Sequence, residues 1–249
     1  MRIVLAAALA LMAGPVFADK VADLIAGTLK DCRGCDLQGA NFKKADLAGV
    51  DLSGANLTDA NFHRANLKGA NLTGVTAVNA NFNLADLTQA EMAAGTFTKA
   101  LFYAAQMSGA DLSGADLSEA RLQTARLTSA KLPGAVLDRA VMRDTVANNA
   151  DFTNASIEQT NLAGAHLSRS LFDGARISYA GMVKVKAGSA SFIDATIQFT
   201  DFFKADLRRA KMDRATLTGN RFTTAATSGV DFEAATMKGN FMTDGRLQE

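Results

Sequence analysis

Residues 40–59 read ANFKK ADLAG VDLSG ANLTD, four successive five-residue units with one grammar. Each unit opens on a small residue (Ala40, Ala45, Val50, Ala55), continues with Asn or Asp, and places a large apolar residue third (Phe42, Leu47, Leu52, Leu57). Neither the 3.6-residue period of an amphipathic helix nor the two-residue alternation of a half-buried strand produces this spacing. A fixed period marks a repeat architecture, in which each unit contributes one short piece to a shared core.

Working outward, the large apolar column begins at Leu37 and keeps its phase through Phe62, Leu67 and Leu72 to Phe222, Phe232, Met237, Met242 and Leu247. Only Ala77, Ala147, Ala187 and Thr227 interrupt it, and no insertion shifts it. The small column runs from Ala40 to Ala235, with occasional Val, Thr, Ser, Gly or Asn. Units such as Ala40-Asn41-Phe42, Ala45-Asp46-Leu47, Ala55-Asn56-Leu57 and Ala115-Asp116-Leu117 resemble the pentapeptide repeat family. The resemblance covers nearly all of the chain after its first segment. It implies an all-β fold, a right-handed quadrilateral β-helix in which four units make one square coil.

That implication has an internal check, because residues twenty apart should then stack. Phe42, Phe62, Phe82, Phe102, Phe202 and Phe222 fall in one column, and Phe152, Phe172, Phe192 and Phe232 in the opposite one. Ile157, Ile177 and Ile197 share a third, and Phe97 alone strays from the two aromatic columns. Like side chains segregate in this way when each coil supplies the packing partner of the next. Ala and Leu or Phe fill a narrow interior, and the other three residues of a unit face water. Glycines two places after the central residue, Gly39, Gly49, Gly54, Gly69, Gly74, Gly109, Gly114, Gly134, Gly164 and Gly174, mark turns that require a positive φ. Coils about 4.8 Å apart and roughly forty-three units predict about eleven coils and a rod of about 50 Å.

The 249 residues carry 26 basic and 25 acidic side chains, so no global field draws the chain to nucleic acid. With 48% hydrophobic and 20% charged residues the chain is not a disordered polymer. Residues 1–18 combine an early Arg2, an apolar run from Ile3 to Ala13, a Gly14-Pro15 break and Val16-Phe17-Ala18, which reads as a secretory signal cleaved after Ala18. The run is too short to span a bilayer as a helix, which takes roughly twenty residues. An uncleaved anchor is the competing reading. The expected location is therefore periplasmic or secreted, with no membrane span after cleavage. Residues 19–31 place Val21, Leu24, Ile25 and Leu29 at helical spacing and predict a short helix capping a solenoid over residues 32–249. Phe241 to Glu249 is too short for a second cap, so the last coil is either plugged by its own tail or paired with another copy as a homodimer.

The chemistry is sparse. Cys32 and Cys35 suit a disulfide in an exported protein, yet they also occupy inward slots where buried thiols would serve as core. Asp36 stands where haem attachment needs His, and no second ligand pair supports zinc. His63 and His166 fall about five coils apart, and Asp46, Asp51, Asp111 and Asp116 recur where short polar side chains bond local backbone. No catalytic residue, metal or cofactor is expected, and a filled rod offers no cleft to an enzyme. Charge is unevenly spread: residues 19–120 hold eight basic and twelve acidic side chains, residues 121–249 seventeen and thirteen. Some members of the resembling family are acidic DNA mimics that occupy topoisomerases; a surface that is not acidic and an export signal disfavour that reading, and no nucleic acid is expected as a partner. One outward cluster stands out as a candidate protein-partner site: Tyr179 with Phe199, Val183 with Phe203, and Lys184 with Lys204, each pair twenty apart. Scattered apolar side chains are normal on any surface, and that is the competing reading. Ala187 and Thr227, with Gly181 and Gly188 nearby, are expected to dent the rod or to be neutral.

Overall fold

The computed structural model describes residues 14–248, so the apolar run from Ile3 to Ala13 of the expected signal lies outside the described residues. The unit Asn56–Ala60 shows how five residues become a stable piece of backbone. The Asn56 N–H donates to Cys35 O of the preceding coil (2.9 Å), while those of Leu57 and Asp59 donate to Thr76 O and Val78 O of the next (2.6 and 2.9 Å). The Ala60 N–H closes the turn on Leu57 O (3.0 Å), and the Thr58 N–H is taken by the Asn56 side chain (3.2 Å). Every N–H of the unit thus has an acceptor, as buried backbone requires. It also explains the Asn or Asp before the central residue, which supplies the one acceptor the coils cannot.

Repetition of this unit builds a parallel β-solenoid. Four columns of bridges start at Asp31↔Asp51, Asp36↔Asn56, Asn41↔Asn61 and Asp46↔Asn66, and each advances by twenty residues. The predicted positive φ holds at Gly39 (67°) and at the other turn glycines, but it is not confined to glycine. Among the described residues twenty-seven non-glycine residues take it too, including Leu84 (60°), Tyr179 (52°) and Phe199 (48°). A left-handed residue costs about 1–2 kcal/mol when it carries a Cβ. The coil-to-coil and turn hydrogen bonds of each unit offset that cost, so the fold, not the residue, selects the conformation.

The interior follows the columns read from the sequence. Phe42, Phe62, Phe82 and Phe102 stack face to face with centroids 4.9–5.0 Å apart, as do Phe152, Phe172 and Phe192 at 4.8–5.0 Å. The stray Phe97 wedges edge-on against Phe82 and Phe102 (6.1 and 5.8 Å). It fits because Gly95 holds the small position, where a Cβ would lie 2.5 Å from Phe97 Cε2. Gly95→Ala is expected to cost about 1–3 kcal/mol by overpacking. Combining it with Phe97→Leu should recover most of that loss, a coupling that urea unfolding of the four-variant cycle measures directly.

One face differs from the other three. Strands β1 (Ser156–Glu158), β2 (Arg176–Ser178), β3 (Thr196–Gln198), β4 (Thr216–Thr218) and β5 (Thr236–Lys238) form a parallel sheet in sequence order, with Ile157, Ile177, Ile197, Leu217 and Met237 in register. Here the small column carries buried polar residues. Instead of closing a turn, the Thr200 N–H donates to Asn220 Oδ1 and the Asn220 N–H to Asn240 Oδ1, both at 2.9 Å. Asn220 Nδ2 and Asn240 Nδ2 donate back to Ile197 O and Leu217 O at 2.8 Å, and Thr160 Oγ1 does the same to Leu137 O at 2.6 Å. Among the described residues no buried side-chain polar atom lacks a partner.

Helix α1 spans Gly14–Ala26, not the expected 19–31. Gly27 (φ 71°) ends it: the Thr28 N–H turns back to Asp23 O (3.0 Å) in a C-terminal cap that a helix continuing to residue 31 would forbid. Leu24 is buried and Val21 and Leu29 pack half-buried against the core, whereas Ile25 is exposed. No described helix is long and apolar enough to cross a membrane. At the other end two bridge columns stop at Lys211 and Ala226, and Val230, Phe232 and Met242 are only half-buried. The tail reverses there: Phe241 bridges Leu247 antiparallel, the Met242 N–H donates to Arg246 O and the Gln248 N–H to Asn240 O (both 2.8 Å).

Candidate partner-binding surface

Tyr179 and Phe199 project from consecutive left-handed turn positions, which aims both side chains outward at one corner of the solenoid. Their rings stack with centroids 5.1 Å apart and planes 18° apart. Phe199 also lies over Gly219, where a Cβ would sit 2.7 Å from its ring. Phe199 is therefore covered by Tyr179 on one side and by Gly219 on the other, and Tyr179 by Phe199, yet 59% of Tyr179 and 50% of Phe199 remain exposed. That exposed area sits beside a core that is already closed, so it adds little to folding.

Val183 and Phe203, placed in the same candidate set by the sequence, are half-buried rather than exposed. Phe203 is held between two cations, with Lys204 Nζ 5.1 Å and Arg221 Cζ 4.7 Å from its ring centroid. Arg221 in turn forks onto Asp201 (Nε–Oδ1 2.8 Å, Nη2–Oδ2 2.5 Å). Lys184 and Lys204 are exposed. The six residues thus separate into a stacked aromatic pair at the corner and a cation-clamped phenylalanine in the next unit.

Cys32 and Cys35 are joined by a disulfide (S–S 2.11 Å, Cα–Cα 5.3 Å) and are both buried. Lys20 Nζ of α1 approaches Cys35 Sγ at 3.8 Å, tying the cap to the first coil. Asp46, Asp51, Asp111 and Asp116 each accept the N–H two residues on (2.9–3.3 Å), a structural task that leaves them spread along the rod. His166 Nε2 meets Lys186 Nζ at 3.2 Å. Among the described residues no group of three or more His, Cys, Asp or Glu could hold a metal ion.

Five-residue units stacked at a register of twenty around a core of alternating small and large side chains define a parallel β-solenoid of the repeat class. Pentapeptide repeats match in eight copies over residues 35–74, 65–102, 105–144, 120–159, 150–185 and 200–239, and the chain belongs to that family. Among solved structures it is similar to HetL, a pentapeptide repeat protein involved in heterocyst differentiation regulation from the cyanobacterium Nostoc sp. strain PCC 7120. That likeness has a TM-score of 0.67 at 26% identity, covering 92% of this chain and 98% of HetL. QnrB1, a plasmid-mediated fluoroquinolone resistance protein, aligns over 70% of this chain and 87% of its own with a TM-score of 0.46 and 19% identity. A pentapeptide repeat protein of the Arabidopsis thaliana thylakoid lumen aligns over 45% and 72% with a TM-score of 0.33 and 26% identity. No curated protein matches the chain.

Proposed function

We propose that the protein is an exported, non-catalytic interaction scaffold or structural envelope module that works through its outer faces. Residues 1–18 act as a signal removed after Ala18, the mature protein resides in the periplasm or is secreted, and residues 32–249 form a right-handed quadrilateral solenoid of about eleven coils. The observation that carries the reading is the exposed Tyr179–Phe199 stack, aromatic area that the closed core does not use. Affinity capture from periplasmic extract tests it. A defined companion should be retained by the mature protein and lost from the Tyr179→Ser, Phe199→Ser, Phe203→Ser variant. Equal recovery by both forms would remove the patch from the proposal. N-terminal sequencing of the exported protein should begin at Asp19.

The alternative reading, a nucleic-acid mimic that inhibits or protects a DNA-binding enzyme, asks for an acidic stripe, and the net charge of +1 gives it no support. We also propose that the C-terminal coil carries a homodimer contact, supported by Phe241 and Leu247, which remain 46% and 57% exposed beside the reversed tail. Light scattering after size exclusion should then give twice the monomer mass, falling to one in Phe241→Ser, Leu247→Ser.

A further inference from the structure

The face that carries Ala187 in a large-residue slot is hollowed on its outside. A concavity of about 490 Å³ opens there, with Gly188 flanked by Ser168 and Arg208 one coil to either side and Ser228 one coil beyond Arg208. Gly188 is not at a positive φ, and a Cβ on it would meet only Arg208 O at an ordinary 3.7 Å. The backbone therefore does not demand glycine at this position. What glycine supplies is the missing side chain that opens the floor.

The walls are cationic. Arg169 and Arg209 stand one coil to either side of Ser189 in a single outward column, about 10 Å apart along the rod. Arg169 is oriented by Nε donating to Asn149 Oδ1 (2.8 Å), which leaves its terminal N–H groups free. Arg209 has no side-chain hydrogen bond or ion pair among the described residues. The one carboxylate in the lining, Asp206, is already engaged by the fork of Arg208 (Nε–Oδ1 2.8 Å, Nη2–Oδ2 2.6 Å). That fork, with a smaller coulombic attraction from Arg209, holds the Asp206 carboxyl below the usual carboxylate range. Lys186 adds a further positive charge at the edge, next to His166. The charge is also bounded: Asn148 and Asn149 precede it and Ala226 and Gly229 follow it, all uncharged.

We propose that this groove is a binding site for a small ligand carrying two or more phosphate groups. Two unpaired guanidinium groups about 10 Å apart match two anionic groups of one molecule, and guanidinium forks bind phosphate oxygens in pairs. The hydroxyls of Ser189 and Ser228 add donors that a phosphate, with three terminal oxygens, can use more fully than a planar carboxylate, while the Ser168 hydroxyl donates to Lys186 O (3.4 Å). Confinement of the charge to a few coils fits a small molecule and not a polymer or a membrane surface, which would need a long cationic stripe.

Calorimetric titration of the full protein with inorganic pyrophosphate in low-salt buffer tests the site. Saturable one-to-one binding is expected, weakened about tenfold or more by Arg169→Gln or Arg209→Gln and lost in Gly188→Gln, which fills the floor. Arg139→Gln, an exposed cation paired with Glu119 elsewhere on the rod, should bind as wild type. Unchanged circular dichroism and melting temperature in all variants would show that folding is not the cause. Absence of saturable binding, or wild-type affinity in Gly188→Gln and Arg209→Gln, would overturn the site. Citrate binding as tightly as pyrophosphate at matched ionic strength would overturn its assignment to phosphate.

Discussion

Phe82→Ala is expected to lower the stability of the protein by about 3–5 kcal/mol, the upper range for deleting a buried ring. The Phe82 ring is fully buried, sandwiched between Phe62 at 4.9 Å and Phe102 at 5.0 Å, with the edge of Phe97 at 6.1 Å. In a globular core, neighbours relax into such a vacancy and recover part of the loss. Here the coils above and below are fixed by backbone hydrogen bonds on every side, as in Phe82 N–H to Leu101 O at 2.7 Å, so the rings cannot close the gap. Phe82→Leu should retain a good part of the stability, because Leu122 and Leu162 fill the same column elsewhere. Urea unfolding measures the loss, and hydrogen exchange should place it in the coils around residues 62–102, since each coil contacts only its neighbours. A cost below about 1 kcal/mol would mean that the phenylalanine stack does not hold the middle of the rod.

Asn220→Ala is expected to cost about 2–5 kcal/mol, with the damage confined to the C-terminal coils. The Asn220 side chain accepts from the Thr200 N–H and donates to Ile197 O and to Asn240 Oδ1, at 2.9, 2.8 and 3.1 Å, in a fully buried position. Alanine would leave a buried donor and a buried acceptor without partners, each costing about 1–3 kcal/mol. Although Ala fills the small column almost everywhere else, outside this face the N–H of the small residue closes a turn, as Ala60 does on Leu57 O (3.0 Å). Hydrogen exchange of Thr200 and of residues 217–248 should accelerate in the variant while the Phe42–Phe102 stack stays protected. Wild-type exchange there would show that the asparagine ladder is dispensable.

Much of this architecture is legible in residue order because its rule is local and exact in phase. A large side chain every fifth residue defines the interior, and the twenty-residue segregation of Phe82 from Phe172 and of Ile177 from both sorts the interior into columns that the stacked rings and the β1–β3 register reproduce. Two features resist such reading. That Tyr179, Phe199 and Leu84 adopt left-handed backbone is invisible from their identities, because β-propensity and apolar character point away from it and only the hydrogen-bond lattice imposes it. Apolar spacing alone overruns the end of α1, because it carries on to Leu29 while Gly27 is what stops the helix. The candidate surface was half legible. Periodicity aligned Tyr179 with Phe199, but the burial of Phe203 under Arg221 depends on side-chain reach across coils. The arginine-lined groove had a signal too, since Arg169 and Arg209 are two periods apart with Gly188 and Ser189 between them.

The twenty-residue register also makes the dimensions of the molecule discrete. Removing a block such as residues 61–80 would leave every later side chain in its own column and shorten the rod by a single step of about 4.8 Å. Deleting one residue would instead carry the small and large interior residues of every downstream unit to outward slots and bring two of its polar residues inside, since interior and exterior positions are assigned by phase alone. A chain of this kind can gain or lose length only in whole steps, like a ruler with one graduation. The distance between two surface features, the aromatic corner and the α1 cap for instance, is therefore a countable quantity open to resetting by duplication without redesign of either.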